Sequence, residues 1–153
     1  MKSVFYYGVM KASKSAQLIL KASTYQKQGV EPIIIKPTTD TRDGSGKVHS
    51  RIGIEMPVTF TLKHDDIDMV VPITTIARQQ NRPIFVDEAQ FFSPVFIEKL
   101  ISVIHNIDDN ENSSHVNIFL FGLLKTYNNK LFSGTHGILV KVVKIVLIKT
   151  KCV

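Results

Sequence analysis

Several short apolar runs in this chain are continuous and do not alternate with polar residues. Residues 33–35, 84–86 and 117–121 are the clearest of these runs, and stretches with helical character separate them. Strands that are apolar on both faces occur where helices cover both sides of a parallel sheet. The sequence therefore predicts an α/β fold with three layers, in which a parallel sheet is flanked by helices.

The same patterns predict where the other elements lie. Strands are expected near residues 2–7, 69–71 and 145–148, and helices over about 14–28 and from about Pro72 and Ser93. Residues 38–53 are rich in Thr, Asp, Gly, Ser and Arg, which is typical of a loop. We expect this loop to be able to cover a ligand.

Length and composition narrow the class of protein. A chain of 153 residues, 44% of them hydrophobic and 21% charged, is expected to form one globular domain, residues 1–153. A single cysteine and an N-terminus without an apolar signal region favour a reducing, cytoplasmic location. The longest apolar stretch, residues 138–148, is shorter than the roughly 20 residues of a membrane span and contains two lysines. We interpret it as core, with no membrane contact.

The net charge of +6 is unevenly distributed. Residues 112–153 contain six lysines and no acidic residue, whereas the charges of residues 1–111 cancel. A basic segment of this kind could bind nucleic acid. Because its lysines alternate with Val, Ile and Leu and do not form a run, we favour a strand and helix whose acidic neighbours lie elsewhere. No nucleic-acid partner is predicted.

A candidate phosphate-binding loop follows the first predicted strand. It is the octet Gly8-Val9-Met10-Lys11-Ala12-Ser13-Lys14-Ser15, which also opens the first predicted helix. In such a P-loop, backbone N–H groups face the phosphates, Lys14 neutralises the β- and γ-phosphates, and the Ser15 hydroxyl ligates Mg²⁺. The usual pattern has glycine in place of Ser13, and a left-handed backbone there would cost about 1–2 kcal/mol. The alternative is a lysine-rich turn capped by serine.

Two acids stand where a predicted strand ends. Asp87 and Glu88 directly follow the apolar run 84–86. At that position Asp87 could hold Mg²⁺ through water, opposite Ser15, and Glu88 could accept a proton from a hydroxyl group. The alternative is that both acids begin a surface loop before a helix cap at Ser93. Together with the octet, the pair predicts a P-loop NTPase-like, nucleotide-dependent enzyme.

These residues also carry a family resemblance that covers essentially the whole chain. The matching segments are the octet, Lys36-Pro37-x-x-Asp40-x-Arg42, Ser50-Arg51-x-Gly53, Asp87-Glu88-Ala89-Gln90-Phe91-Phe92, and Gly122 with Phe132. In this combination the chain resembles the zinc-containing type II thymidine kinases. The Asp-Glu-Ala-Gln-Phe-Phe string is the most specific of the matches.

The resemblance implies a reaction and roles for the matching residues. The reaction is transfer of the ATP γ-phosphate to the 5′-hydroxyl of deoxythymidine, with Mg²⁺ bound to the ATP, Glu88 as the base and Asp87 as the acid on the metal side. ATP would be bound by the octet, by Asp87-Glu88-Ala89-Gln90 and by Arg42, a cation of the active site with Asp40 as its companion. Phe91 and Tyr127 would lie against the flat thymine base, whereas Phe92 is expected in the core. The resemblance also implies a homotetramer.

The C-terminal end departs from that family. The family continues into a subdomain that binds Zn²⁺ and carries a lasso loop, whereas this sequence ends at Val153, so we expect a single P-loop kinase domain without that subdomain. Cys152 matches the first zinc ligand, and zinc binding would require the chain to continue; otherwise Cys152 is an unliganded thiol. Two alternatives to a thymidine kinase stay open: a truncated, inactive nucleotide-binding domain, and a general P-loop ATPase in which Glu88 activates water.

Overall fold

The computed structural model describes residues 2–7, 11–38, 47–49, 55–108, 116–122 and 143–147. Within these ranges the helices are α1 (Lys11–Lys27), α2 (Val70–Gln80) and α3 (Pro94–Asp108). The strands are β1 (Lys2–Tyr7), β2 (Ile33–Pro37), β3 (Lys47–His49), β4 (Glu55–Pro57), β5 (Phe60–Leu62), β6 (Ile84–Val86), β7 (Asn117–Gly122) and β8 (Val143–Leu147). Short 3-10 helices cover Ile67–Met69 and Ala89–Phe91.

Six of the strands form one sheet in the order β5-β2-β6-β7-β1-β8. Every neighbouring pair in this sheet is parallel. All six strands therefore end at the same edge, which we call the carboxyl edge. In open parallel sheets this is the edge where ligands bind.

Helices cover both faces of the sheet, so the predicted three-layer α/β fold is confirmed. On one face, α2 and α3 pack on side chains that include Ile33, Ile35, Ile84 and Ile118. On the other face, α1 and the antiparallel pair β3–β4 pack on Ile34, Phe85, Phe119 and Phe121. None of the helices in the described ranges is long and apolar enough to cross a membrane.

The helix ends on the α2–α3 face have clear local causes. The Ser93 hydroxyl accepts the backbone N–H of Phe96 at 3.1 Å, and Pro94 takes the first helical position, where a missing N–H costs no hydrogen bond. The predicted cap at Ser93 is thus confirmed. Helix α2 ends at Asn81, whose left-handed backbone (φ 53°) is the usual conformation after a helix.

The strand predicted at residues 69–71 is wrong. Met69 closes a 3-10 helix and Val70 begins α2, so Pro72 lies in the first turn of a helix. Proline is tolerated there because the first N–H groups of a helix have no partner within it. A short apolar run before a proline fits a strand end and a helix start equally well, and periodicity could not separate the two.

Other predicted boundaries also need correction. Helix α1 begins at Lys11, three residues earlier than expected, because no glycine or proline interrupts residues 11–13. Residues 38–53 are not loop throughout, since β3 lies within them and pairs with β4. Strands β3, β4 and β5 were missed because each has only three residues and none contains an apolar run. The last predicted strand is confirmed near its expected place as β8.

Candidate nucleotide-binding and catalytic site

Buried charges are concentrated at the carboxyl edge of the sheet. In the part of the chain that the structure describes, the buried charged side chains are Lys14, Lys36, Asp87 and Glu88, with exposures of 2–5%. Two are cations and two are anions. Burying a charge is costly unless an opposite charge or a hydrogen bond compensates for it, so a balanced group of four at one edge indicates a site.

The sheet order brings the start of α1 and the twin acids to this edge. Helix α1 begins four residues after β1 ends at Tyr7, and Asp87 directly follows β6. One strand, β7, separates β1 from β6, which corresponds to roughly 10 Å at the usual strand spacing. The arrangement that the kinase hypothesis required, with Lys14 and Asp87 on the same edge, is present.

The backbone at the twin acids is unusual. Glu88 has a left-handed conformation (φ 50°, ψ 48°), and its backbone N–H donates to Oδ1 of Asp87 at 3.0 Å. Asp87 is fixed in turn by its own N–H, which donates to the carbonyl of Ile35 on β2 at 2.8 Å. For a residue with a Cβ, this conformation costs roughly 1–2 kcal/mol, and such strain concentrates at functional sites.

A glutamine side chain holds the Glu88 carboxylate. The Gln90 amide nitrogen donates to Oε2 of Glu88, and both side chains are buried, at 7% and 5% exposure. The alternative interpretation of Asp87 and Glu88, as acids that merely begin a surface loop, is therefore wrong. Both carboxylates lie inside the protein at the end of a strand.

The two phenylalanines after these acids have different surroundings. Phe92 is 3% exposed and stacks on Phe96 with ring centroids 4.7 Å apart, so its predicted place in the core is confirmed. Phe91 is 38% exposed and lies at the carboxyl edge, three residues after Glu88. An exposed ring at that edge is accessible to a flat ligand, and its contact with thymine stays a prediction.

The structure describes the second half of the predicted phosphate-binding octet. Lys11, Ala12 and Ser13 form the first turn of α1, Lys14 is 3% exposed and Ser15 is partly buried. Ser13 therefore has a helical backbone, and the penalty for a left-handed backbone does not arise in this conformation. The lysine-rich turn is a helix start, whose first N–H groups lack partners within the helix and can face an anion.

Several predicted site residues lie outside the described residues. They are Gly8, Val9 and Met10 of the octet, Asp40, Arg42, Tyr127 and Cys152. Their predicted roles are therefore not tested by the geometry.

Two residues at this edge had no role in the sequence interpretation. Lys36 is 2% exposed near the end of β2, and Gly122 ends β7 against the backbone of Ala89 and Gln90. Both belong to segments that carry the family resemblance. A lysine directly after three isoleucines is a signal that could have identified Lys36 as a buried charge at a strand end.

Comparison with known proteins identifies the family of this chain. The family described as Thymidine kinase matches residues 1–153. The chain belongs to the thymidine kinase family. Because the match extends over all 153 residues, the four buried charges and the twin acids lie within the matched region.

Individual relatives agree with this membership. A thymidine kinase of Shewanella oneidensis is 33% identical over 150 residues, which cover 97% of this chain and 73% of the relative. A thymidine kinase of Vibrio cholerae is 34% identical over 149 residues with the same two coverages. The thymidine kinase of Enterobacteria phage T4 is 31% identical over 150 residues, again with 97% and 73% covered.

The donor set of this thymidine kinase family member suits Mg²⁺ that arrives with a nucleotide. The described residues contain no group of three or more His, Cys, Asp or Glu side chains that could hold a metal by themselves. Mg²⁺ in nucleotide sites is usually held by one or two protein oxygens together with phosphates and waters. The buried Asp87 carboxylate and the partly buried Ser15 hydroxyl provide oxygens of this kind.

Proposed function

We propose that this chain is an ATP-dependent thymidine kinase that transfers the γ-phosphate of ATP to the 5′-hydroxyl of deoxythymidine. The observation that supports the proposal is the group of four buried charges at the carboxyl edge, because it includes a cation that suits phosphate and a carboxylate that suits a hydroxyl group. Membership in the thymidine kinase family supports the choice of nucleoside.

On the ATP side, the residues act by positioning and by neutralising charge. The octet, whose residues from Lys11 onward begin α1, would face the phosphates with its backbone N–H groups once this helix start opens into a loop, and the buried Lys14 ammonium is a cation at the same edge. Ser15 and Asp87 would hold Mg²⁺, which spreads the negative charge of the transferred phosphate when it is bound. Phosphoryl transfer depends mainly on such positioning and electrostatic stabilisation.

On the nucleoside side, Glu88 is the base. Its carboxylate lies one residue after Asp87 and would accept the proton of the 5′-hydroxyl. Phe91, exposed at the same edge, would stack on the thymine ring, with Tyr127 as a second aromatic contact. Ala89 and Gln90, which follow Glu88, belong to the segment from Asp87 to Gln90 that is predicted to bind ATP.

The remaining assignments rest on the family resemblance alone. Arg42 and Asp40 are proposed as active-site groups, and Cys152 as a zinc ligand if the chain continues beyond Val153. A homo-oligomer is proposed on the same basis, whereas a cytoplasmic location is proposed because a single cysteine fits a reducing compartment. A truncated, inactive domain and a general P-loop ATPase are the competing proposals.

A labelling experiment separates these proposals. Purified protein with Mg²⁺ and γ-labelled ATP should transfer the label to deoxythymidine and release little inorganic phosphate when the nucleoside is left out. Phosphate release that does not depend on deoxythymidine would support an ATPase. An absence of both products would support the inactive domain.

We predict that Ser13→Gly tightens ATP binding about fivefold. To wrap around phosphates as a loop, the octet must leave the helical conformation of the first turn of α1, and glycine weakens that turn. Glycine also removes the penalty for a left-handed backbone in the loop. A gain of about 1 kcal/mol corresponds to about a fivefold lower Kd. Titration with a fluorescent ATP analogue measures the change.

Ser23→Gly is the matched control for this substitution. Ser23 lies ten residues further along α1, where its hydroxyl donates to the carbonyl of Ile19 at 2.7 Å. The same replacement there should lower the stability of the helix and leave the Kd for ATP unchanged. Equal effects of the two substitutions on the Kd for ATP would show that ATP binding does not require the helix start to open.

A further inference from the structure

We infer that Gln90 is a positioning residue for the Glu88 carboxylate, and that Gly122 is required to be glycine because it leaves space for the Gln90 amide. The inference rests on the proposed function in one respect, since Glu88 is taken to be the base. It adds a device that controls the orientation of the Glu88 carboxylate.

The side chains of Gln90 and Glu88 are in direct contact. Oε2 of Glu88 accepts a hydrogen bond from the Gln90 amide nitrogen in a buried setting. A hydrogen bond to a carboxylate of this kind limits the rotation of its side chain. A base must be correctly aimed to accept a proton, and this hydrogen bond serves that requirement.

The local backbone makes this contact possible. The left-handed conformation at Glu88 turns the chain sharply, and the 3-10 helix Ala89–Phe91 follows at once. Glu88 and Gln90 are thereby brought together although only one residue separates them. The strain at Glu88 thus has a structural consequence, because it places a buried donor on the carboxylate.

Gly122 supplies the space for this arrangement. A Cβ on Gly122 would lie 2.6 Å from Oε1 of Gln90, and 3.3 Å from the backbone nitrogens of Ala89 and Gln90. The first distance is too short for any contact, so the Gln90 amide would have to move. The strand end of β7 therefore acts on Glu88 through Gln90, and an alanine at position 122 would displace the donor.

The first test is the steady-state kinetics of Gln90→Met, which keeps the length of the side chain and removes the donor. The Glu88 carboxylate loses a contact that orients it, so kcat for phosphate transfer should fall by about tenfold, the size expected for one hydrogen bond to a charged group. The KM for ATP should change by less than about twofold. An unchanged kcat, or a change confined to the KM for ATP, would overturn the inference.

A second readout does not depend on activity. Carbon-13 labelling of glutamate side chains, with Glu88→Gln used to assign the Glu88 signal, follows the motion of that side chain by NMR relaxation at a single pH. The Glu88 side chain should be more mobile in Gln90→Met than in the unmodified chain. If the chain failed to phosphorylate deoxythymidine and the mobility still rose, the proposed function would fail while this inference held. An unchanged mobility would overturn the inference alone.

A double-mutant comparison tests the role of Gly122. Gly122→Ala should raise the mobility of the Glu88 side chain as well, and adding it to Gln90→Met should cause no further increase, because the donor is already missing. Additive increases would show that Gly122 does not act through Gln90. If Gly122→Ala does not fold, the Gln90→Met measurements still decide the central claim.

Gly29→Ala is the control for a nonspecific effect of replacing glycine. Gly29 has a left-handed backbone (φ 80°) after α1, and no atom lies within 4 Å of a Cβ added there. Alanine at this position is strained and lowers stability, but it is not in contact with the carboxyl edge. It should leave the mobility of the Glu88 side chain and kcat unchanged, and a change as large as that of Gly122→Ala would overturn the role of Gly122.

Discussion

Glu88→Gln should lower the rate of phosphate transfer to deoxythymidine by about 10²–10⁴-fold, the usual contribution of a general base. Glutamine has nearly the same shape as glutamate, and its carbonyl can still accept the hydrogen bond from Gln90, so the fold should be preserved. What is lost is the ability to take a proton from the hydroxyl. The measurement is kcat for labelled dTMP formation, together with the thermal midpoint of unfolding.

Two comparisons make this result specific. The Kd for ATP should change by less than about twofold, because Glu88 is assigned to the nucleoside side. Glu98→Gln is the matched control, since Glu98 lies on α3 and is only partly buried there, and its kcat should be unchanged. A Glu88→Gln protein that keeps more than a third of the activity would show that another group is the base.

The surroundings of Glu88 show which features of the site could be predicted from the sequence. The position of the acids at the end of an apolar strand was predictable, because continuous apolar runs imply a parallel sheet whose strands end together. The left-handed backbone of Glu88 was not predictable, since glutamate has no local preference for it. In the structure this conformation occurs together with two hydrogen bonds, from the Glu88 N–H to Asp87 and from Gln90 to the Glu88 carboxylate.

The fold likewise has features that could be predicted from the sequence and features that could not. The strands at residues 2–7, 84–86 and 117–121 were predicted because each contains a run of apolar or aromatic residues. Their order in the sheet, with β7 between β1 and β6, depends on contacts between residues far apart in the chain. Local patterns contain no information about that order. The same limit explains the missed strands β3, β4 and β5, which are too short to have a pattern.

Lys36 illustrates an intermediate case. Its place after residues 33–35 is visible in the sequence, and it belongs to a segment that resembles the family, but its burial was not expected. The hydrogen bond from the Asp87 N–H to the Ile35 carbonyl places Asp87 beside this part of β2. The sequence shows a lysine at a strand end, and only the sheet order shows that the end lies in the site.

Lys14→Met should lower kcat/KM for ATP by about 10²–10³-fold, the loss expected when one preorganised group for a developing charge is removed. Lys14 is 3% exposed in the first turns of α1, at the edge where the phosphates are proposed to bind. Methionine retains most of the apolar stem and removes the charge. Steady-state kinetics with varied ATP, together with a direct Kd for ATP, measures the loss.

Lys21→Met is the control that separates charge at the site from charge on the helix. Lys21 lies seven residues further along α1, hence on the same side of the helix, with its Nζ 4.8 Å from the ring centre of Phe119. Its loss should reduce stability by at most about 1 kcal/mol through the cation–π contact and leave kcat/KM unchanged. If the kcat/KM of Lys14→Met stayed within threefold of the value for the unmodified chain, the phosphates would have to bind elsewhere. A buried ammonium beside them cannot be removed without a large effect on kcat/KM.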